Sequence, residues 1–193
     1  MDSTPMAPQA KQNSTPPWSD LWLDVALVVF LIGFDVAARL LWHVPNVSPV
    51  AASALFAGMM LRRRALAIAV PLAALLIGDS IQGFYHWQVM AVVYAALTLP
   101  AVAGILTRHV RVLRVVGPTV LGCSLIFFVT SNFAVWAWSG LYSADMTGLI
   151  QSYVMGLPFL KYTIAGDLFW AAVLFGGAWL AQRLTARTGV LAS

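Results

Sequence analysis

The residues of this chain that are suited to binding a polar ligand lie where long apolar runs end. Asp79 and Ser80 close one run, and Asn132 lies near the end of another. Connections and run ends at the same level add further amides, rings and an imidazole: Asn46, Tyr85, His86, Trp136 and Tyr142. Flat aromatic faces with hydrogen-bonding groups suit the mouth of a site for a bulky, partly polar ligand. These residues are therefore the candidate ligand-binding set.

The same residues do not indicate catalysis. No nucleophile elbow, HExxH sequence or GxxxxGK[ST] phosphate loop is present, so neither hydrolytic chemistry nor ATP hydrolysis is predicted. The three histidines, His43, His86 and His109, all fall in connections, which argues against a haem held between helices. We expect a binding or transport protein that is not an enzyme and has no cofactor of its own. The alternatives are a membrane enzyme or assembly factor using this polar cluster, and a purely structural subunit.

The composition indicates an integral membrane protein. Of the 193 residues, 61% are hydrophobic and 9% are charged, and the mean hydropathy is +0.84, which does not fit a soluble core with a polar shell. The net charge of +4 comes from short basic clusters between apolar runs, so we expect a lipid bilayer and no nucleic acid as partner. The single cysteine, Cys123, excludes a disulfide within the chain.

The apolar runs predict an all-α membrane protein with six transmembrane helices. A helix needs about 20 residues to cross the hydrocarbon core, and four runs have that length: 21–42, 88–106, 115–138 and 162–182. The triple arginine 62–64 divides residues 49–78 into two pieces, which we interpret as two short spans; a re-entrant hairpin is the alternative. The predicted organisation is a disordered cytoplasmic tail (1–17), a six-helix domain (18–187) and a cytoplasmic tail (188–193).

The distribution of basic residues predicts the orientation. Six spans with a cytoplasmic amino terminus leave two of the eleven basic residues outside, Arg39 and Lys161. Such an excess of inner-side Lys and Arg sets membrane orientation, so both termini are expected in the cytoplasm. Within the first span, Asp35 and Arg39 are four residues apart, and we expect them to form an ion pair. Asp167 is expected in the outer half of the sixth span.

Several short stretches resemble a known family. They are Pro45 to Gly58 (PNVSPVAASALFAG), Gly78-Asp79-Ser80, Ser131 to Trp136 (SNFAVW) and Gly156 to Phe159 (GLPF). Together they are similar to the small six-helix S-components of energy-coupling-factor (ECF) transporters, and within them to the BtuM-like solitary cobalamin transporters. The resemblance covers nearly everything after residue 20. It implies an S-component-like bundle for uptake of cobalamin or a related corrinoid across a bacterial inner membrane, with the site facing the periplasm and an ECF-type energising module as a further partner.

One position departs from the family. The BtuM-like proteins carry a cysteine after the aspartate that ends the third helix, where it is thought to ligate the corrinoid cobalt, and this chain has Ser80 there. A neutral hydroxyl is a poor substitute for a soft thiolate. Either this chain binds its ligand without that bond, or the serine is a replacement in an otherwise intact pattern.

The resemblance also implies roles for the candidate residues. The rings of Tyr85, Trp136 and Tyr142 would flank the corrin, with His86 beside them. Asp79, Asn132 and Asn46 would meet its amide side chains, and Ser80 would take the axial cobalt position. Residues 139–161 form the longest predicted outer connection, and they are expected to be either a lid or an interfacial amphipathic helix.

Overall fold

The structure is a computed structural model that describes residues 17–41 and 46–191, and every regular element within those ranges is an α-helix. The predicted amino-terminal tail therefore lies outside the described residues, apart from Pro17. The helices are α1 (Pro17–Leu41), α2 (Val50–Met60), α3 (Arg64–Gln82), α4 (Trp87–Thr107), α5 (Val112–Trp138) and α6 (Met146–Leu191).

Five of these helices are long and apolar enough to cross a membrane: α1, α3, α4, α5 and α6. The chain is therefore a multi-pass membrane protein, as its composition predicts. The exception is α2, whose 11 residues rise about 16 Å at 1.5 Å per residue. That is about half of the hydrocarbon thickness.

The short helix α2 lies inside the bundle, where it contacts every other helix. All residues from Val50 to Gly58 are buried. A helix that is apolar on every face is stable when other helices surround it, and most of these nine side chains are small, which lets neighbouring helices approach closely. The main apolar core forms around it, from residues that include Leu31, Leu55, Phe56, Val70 and Trp170.

The third helix contains Asp79 and Ser80 at its end, as predicted, and extends two residues further, to Gln82. Gly83 ends it with a φ of 103°, a conformation that glycine adopts without a steric cost. The Gly83 N–H donates to the Asp79 carbonyl at 2.9 Å. Asp79 is therefore held in the last turn of a helix.

The sixth helix also begins earlier than expected. Only residues 139–145 connect α5 to α6, and residues 146–161, predicted as lid or interfacial helix, are the first turns of one helix that continues through Pro158. Asp145 explains the early start: its Oδ1 accepts a hydrogen bond from the Gly148 N–H at 2.7 Å, as a helix N-cap does. Residues 188–191, predicted as a tail, continue α6.

The connections define two ends of the bundle. Residues 61–63 and 108–111 join helices at one end, which carries most of the described arginines and is called here the arginine end. Residues 46–49, 83–86 and 139–145 lie at the opposite end, called here the site end. The candidate ligand-binding residues belong to the site end.

The close contact between Gly58 of α2 and helix α4 predicts how an added methyl group would change stability. A Cβ on Gly58 of α2 would clash with the Ala101 carbonyl and lie 3.0 Å from the Gly104 Cα of α4. We expect Gly58→Ala to lower the free energy of unfolding by about 1 to 3 kcal/mol, as overpacking does. Thermal unfolding in detergent measures the loss. Gly33→Ala is the control, since nothing lies within 4 Å of its added Cβ; equal stability of the two variants would contradict the contact.

Candidate functional site

A partly buried ion pair joins three helices at the site end. The Arg39 Nη2 of α1 lies 2.7 Å from the Asp79 Oδ1 of α3, and the Tyr94 hydroxyl of α4 donates to the other Asp79 oxygen at 2.9 Å. Gly78 makes room for this arrangement, because a Cβ at that position would lie 3.2 Å from the guanidinium carbon of Arg39. Gly78 and Asp79 thus position Arg39 together.

This pairing corrects the expectation that Arg39 pairs with Asp35 on its own helix. Asp35 is completely buried and accepts a hydrogen bond from the Ser53 hydroxyl of α2 at 2.7 Å. Its other oxygen, Oδ2, is buried and has no hydrogen-bond partner among the described residues. The spacing of four residues allowed an ion pair within α1, but Arg39 extends across to α3 instead.

A third buried carboxyl group joins the last two helices. Asp167 of α6 is 6% exposed, and its Oδ2 accepts a hydrogen bond from the Ser124 hydroxyl of α5 at 2.7 Å. The Val120 carbonyl lies 2.9 Å from the same Ser124 hydroxyl, so the single hydroxyl hydrogen is shared between the two acceptors. A carboxyl group in an apolar bundle needs a hydrogen-bond partner or access to water. Ser124 is the partner of Oδ2, so the surroundings of the other oxygen, Oδ1, matter for function.

Asp167 lines a cavity of about 260 Å³ at the site end, called here the main cavity because ionisable side chains converge on it. A larger cavity of about 860 Å³, lined mostly by apolar residues of α5 and α6, lies at the arginine end. The polar part of its wall consists of Arg39, Asn46, Ser48, Gln82, Tyr85, Thr163 and Asp167. The apolar part consists of Val47, Ala51, Leu75, Val93, Leu97 and Phe127. A concave wall that combines apolar surface with convergent polar groups is typical of a small-molecule site.

A second cavity of about 200 Å³ adjoins the main cavity and shares Asn46, Phe127 and Thr163 with it. Asn132 lines this second cavity. Its side-chain N–H donates to the Phe128 carbonyl at 2.8 Å, and its amide packs on Gly156 of α6, where a Cβ would overlap it. The two cavities meet at Asn46, whose φ of 59° is a conformation that asparagine tolerates better than most residues.

Tyr85 contributes a neutral hydroxyl to the main cavity. It lies in the connection 83–86, where burial raises its pKa to about 12 and the nearby Asp79 carboxylate adds to the rise. The ionised form is disfavoured because it would place a second negative charge beside Asp79. At neutral pH Tyr85 is therefore a hydrogen-bond donor and an aromatic surface.

The structure brings some of the candidate residues to the cavities and not others. Asn46 and Tyr85 line the main cavity, and Asn132 lines the second. Asp79 does not line the main cavity itself, but it contacts Arg39, which does. The remaining four line neither cavity: Ser80, His86, Trp136 and Tyr142. Ser80 is exposed and donates to the Ile77 carbonyl at 2.7 Å. The Trp136 Nε1 donates to the Ser143 carbonyl at 3.0 Å.

Sequence reasoning missed several residues that build the site. Ser53, Tyr94 and Ser124 each donate to a buried carboxylate from inside an apolar helix. Thr163 could have been found, because it lies one helical turn before Asp167 and so faces the same side of α6. Within the described residues, no group of three or more His, Cys, Asp or Glu side chains is placed to hold a metal ion.

The helices and the cavity define the class of the protein: a multi-pass membrane protein with a polar cavity at one end of an all-helical bundle. It belongs to DUF6580, a family of unknown function, whose model matches residues 19–188. No curated protein and no solved structure matches the chain.

Replacing Asp35 of α1 and Asp79 of α3 by asparagine, one at a time, shows which of these two buried aspartates pairs with Arg39. Asp79→Asn removes the charge that Arg39 faces, and we expect it to lower the free energy of unfolding by about 2 kcal/mol, because a partly buried cation is left unpaired. Asp35→Asn is expected to cost about 1 kcal/mol or less, since it changes one hydrogen bond. Thermal unfolding in one detergent compares them. A larger loss for Asp35→Asn would show that Arg39 depends on Asp35 after all.

Proposed function

We propose that the protein binds a solute at the site end of the bundle, on the periplasmic side of a bacterial inner membrane, and takes part in its uptake. The observation that carries this proposal is the main cavity, where Arg39, Tyr85 and Asp167 converge within an otherwise apolar bundle. Polar and charged groups are costly inside a membrane protein, and those that line a cavity mark a solute pathway.

The orientation is part of the proposal. The connections at the arginine end carry Arg62, Arg63, Arg108 and Arg111, whereas the connections 83–86 and 139–145 carry no Lys or Arg. Cytoplasmic connections are enriched in basic residues. If α2 counts as a short passage enclosed by the other helices, the bundle has six spans and both termini are cytoplasmic.

Cobalamin or a related corrinoid is the solute that the sequence resemblance suggests, in an S-component-like bundle that works alone or with an ECF-type energising module. A cavity of about 260 Å³ lies below the usual range for drug-sized ligands, about 300 to 1,000 Å³, and a corrin ring with its amide side chains is larger still. A corrinoid would therefore rest above the cavity, between the connections 83–86 and 139–145.

That position suits the candidate residues that line neither cavity. His86, Trp136 and Tyr142 belong to those connections or border them, and Ser80 is exposed at the end of α3. In this proposal Ser80 takes the axial side of the cobalt from the rim of the site, while one amide side chain of the corrin enters the main cavity. The hydroxyl is a weak ligand, so the rim contacts supply most of the affinity.

The experiment that tests cobalamin as the solute is an absorption spectrum of the purified protein after exposure to cobalamin and removal of the excess. We expect coloured protein with one corrinoid per chain, and a shifted spectrum with slower release for Ser80→Cys, since a thiolate binds cobalt more strongly. Thr107→Cys is the matched control, because Thr107 also donates to a preceding helix carbonyl and lies in the last turn of α4 at the arginine end. Colourless protein would exclude cobalamin, and identical spectra for all forms would remove Ser80 from the axial position.

The orientation is tested separately by labelling cysteines in intact cells with a membrane-impermeant maleimide. In a Cys123→Ala background, Leu141→Cys is expected to react from outside, since Leu141 is 75% exposed in the connection 139–145. Val110→Cys, in the connection 108–111, is expected to react only after the cells are opened. The reverse pattern would place the cavity on the cytoplasmic side.

A further inference from the structure

The buried acidic and basic groups at the site end are unequal in number. Among the residues that the structure describes there, the buried carboxyl groups are those of Asp35, Asp79 and Asp167. One cation, Arg39, faces them from inside the bundle, and it is in direct contact with Asp79 at 2.7 Å. Lys161 does not offset the difference, because it is exposed and lies over the Tyr162 ring, 5.0 Å from its centroid. The interior of this end therefore carries an excess of acidic groups.

Asp167 is the acidic group of the three that borders the main cavity. Asp79 is satisfied on both oxygens, by Arg39 and Tyr94, and Asp35 lines neither cavity. Asp167 accepts the Ser124 hydrogen bond on Oδ2, and Oδ1 receives none from the part of the chain that the structure describes. A carboxylate 6% exposed, held on one side and open to a cavity on the other, is placed to meet a cation.

The other residues that line the main cavity indicate which kind of cation would fit beside Asp167. The wall contains neutral side-chain oxygens, such as those of Asn46, Ser48 and Thr163, but Asp167 is its one carboxyl group. Within the described residues no group of three or more His, Cys, Asp or Glu side chains is placed to hold a metal ion, whereas a divalent metal ion usually takes several carboxylate ligands. Two aromatic rings, Tyr85 and Phe127, also line the cavity. Aromatic faces attract ammonium groups, and quaternary ammonium ligands in particular. Apolar and aromatic surface around one carboxylate suits an organic ammonium group better than a bare metal ion.

We infer that the main cavity binds a small organic cation, a protonated or quaternary amine, whose charge meets Asp167 and whose apolar part rests against Phe127 and Leu97. The inference rests on the proposed capture of a solute at the site end, and it names the solute class from the cavity itself rather than from the sequence resemblance. A hydrogen-bond acceptor at the other end of the solute would face Arg39.

Choline is a suitable probe, since 3,3-dimethylbutan-1-ol is its neutral isostere and differs in one atom and one charge. Binding of each compound to the full chain in lipid nanodiscs is measured by isothermal titration calorimetry at fixed ionic strength, and sodium and potassium chloride are exchanged in parallel. We expect saturable binding of choline, no detectable binding of the isostere and no competition specific to either inorganic ion. Equal binding of the isostere would overturn the inference, and so would displacement of choline by millimolar sodium or potassium.

Two aspartate variants test whether Asp167 makes the contact. Asp167→Asn is expected to weaken choline binding by about tenfold to a hundredfold, because a charge-assisted contact is lost. Asp35→Asn makes the same substitution at the same end of the bundle, at a residue that lines neither cavity, and its affinity is expected to stay within about twofold of the parent. Equal losses in both variants would mean a diffuse effect of net charge and would overturn the site.

Phe127→Leu is a second test of the site that changes no charged residue. It can be used if the Asp167→Asn protein does not fold. Loss of the ring is expected to weaken choline binding by about threefold to tenfold, and unchanged affinity would remove Phe127 from the site.

Cobalamin retention, measured on the same preparation, separates this inference from the proposed function. If cobalamin is retained and choline does not bind, the organic-cation site is wrong and solute capture stands. If neither binds, the organic-cation site is wrong and cobalamin is excluded as the solute.

Discussion

The organisation of the site end depends on the cost of a carboxyl group inside an apolar bundle. Asp35, Asp79 and Asp167 are all buried, and each obtains a hydrogen bond from a different helix: Ser53 of α2, Tyr94 of α4 and Ser124 of α5. Since an unsatisfied polar group is costly in such surroundings, each bond also fixes how two helices lie against each other. The polar residues of the bundle thus set its geometry, and the cavity forms between the helices that they hold.

The short helix α2 makes this arrangement possible. Its small residues allow α4 to approach to the contact between Gly58 and Gly104, and its central position lets it supply Ser53 to α1 and Ala51 to the cavity wall. A helix of ordinary length and bulky side chains in this place would fill the space at the site end. The cavity exists partly because α2 begins only at Val50, which leaves Asn46, Val47 and Ser48 to form a wall of irregular backbone.

The sequence predicted the helical class and the approximate place of most helices, because apolar runs bounded by polar residues are a strong signal in a membrane protein. It did not predict the partner of Arg39, since spacing along one helix describes neighbours on that helix and not the approach of α3. It also placed the start of α6 too late, although Asp145 is an ordinary N-cap residue. Asn46, Tyr85 and Asn132 were found because amides and rings stand out among apolar residues. The hydroxyl groups of Ser53 and Ser124 do not, since single serines are common inside membrane helices.

Pro158 in the long helix α6 bears on how deep the bundle sits in the lipid. Proline has no N–H, so the carbonyl of Val154, one turn earlier, loses its usual donor. The corresponding carbonyls before Pro71 and Pro100 belong to Ala67 and Ala96, which are enclosed by other helices, whereas Val154 is 55% exposed. A backbone carbonyl without a hydrogen-bond donor on the outer surface of a bundle is tolerated where water or lipid headgroups reach it, and it is costly among acyl chains. We therefore expect the turn at Val154 to lie at the level of the lipid headgroups on the site side, with the first turns of α6, towards Met146, outside the hydrocarbon core.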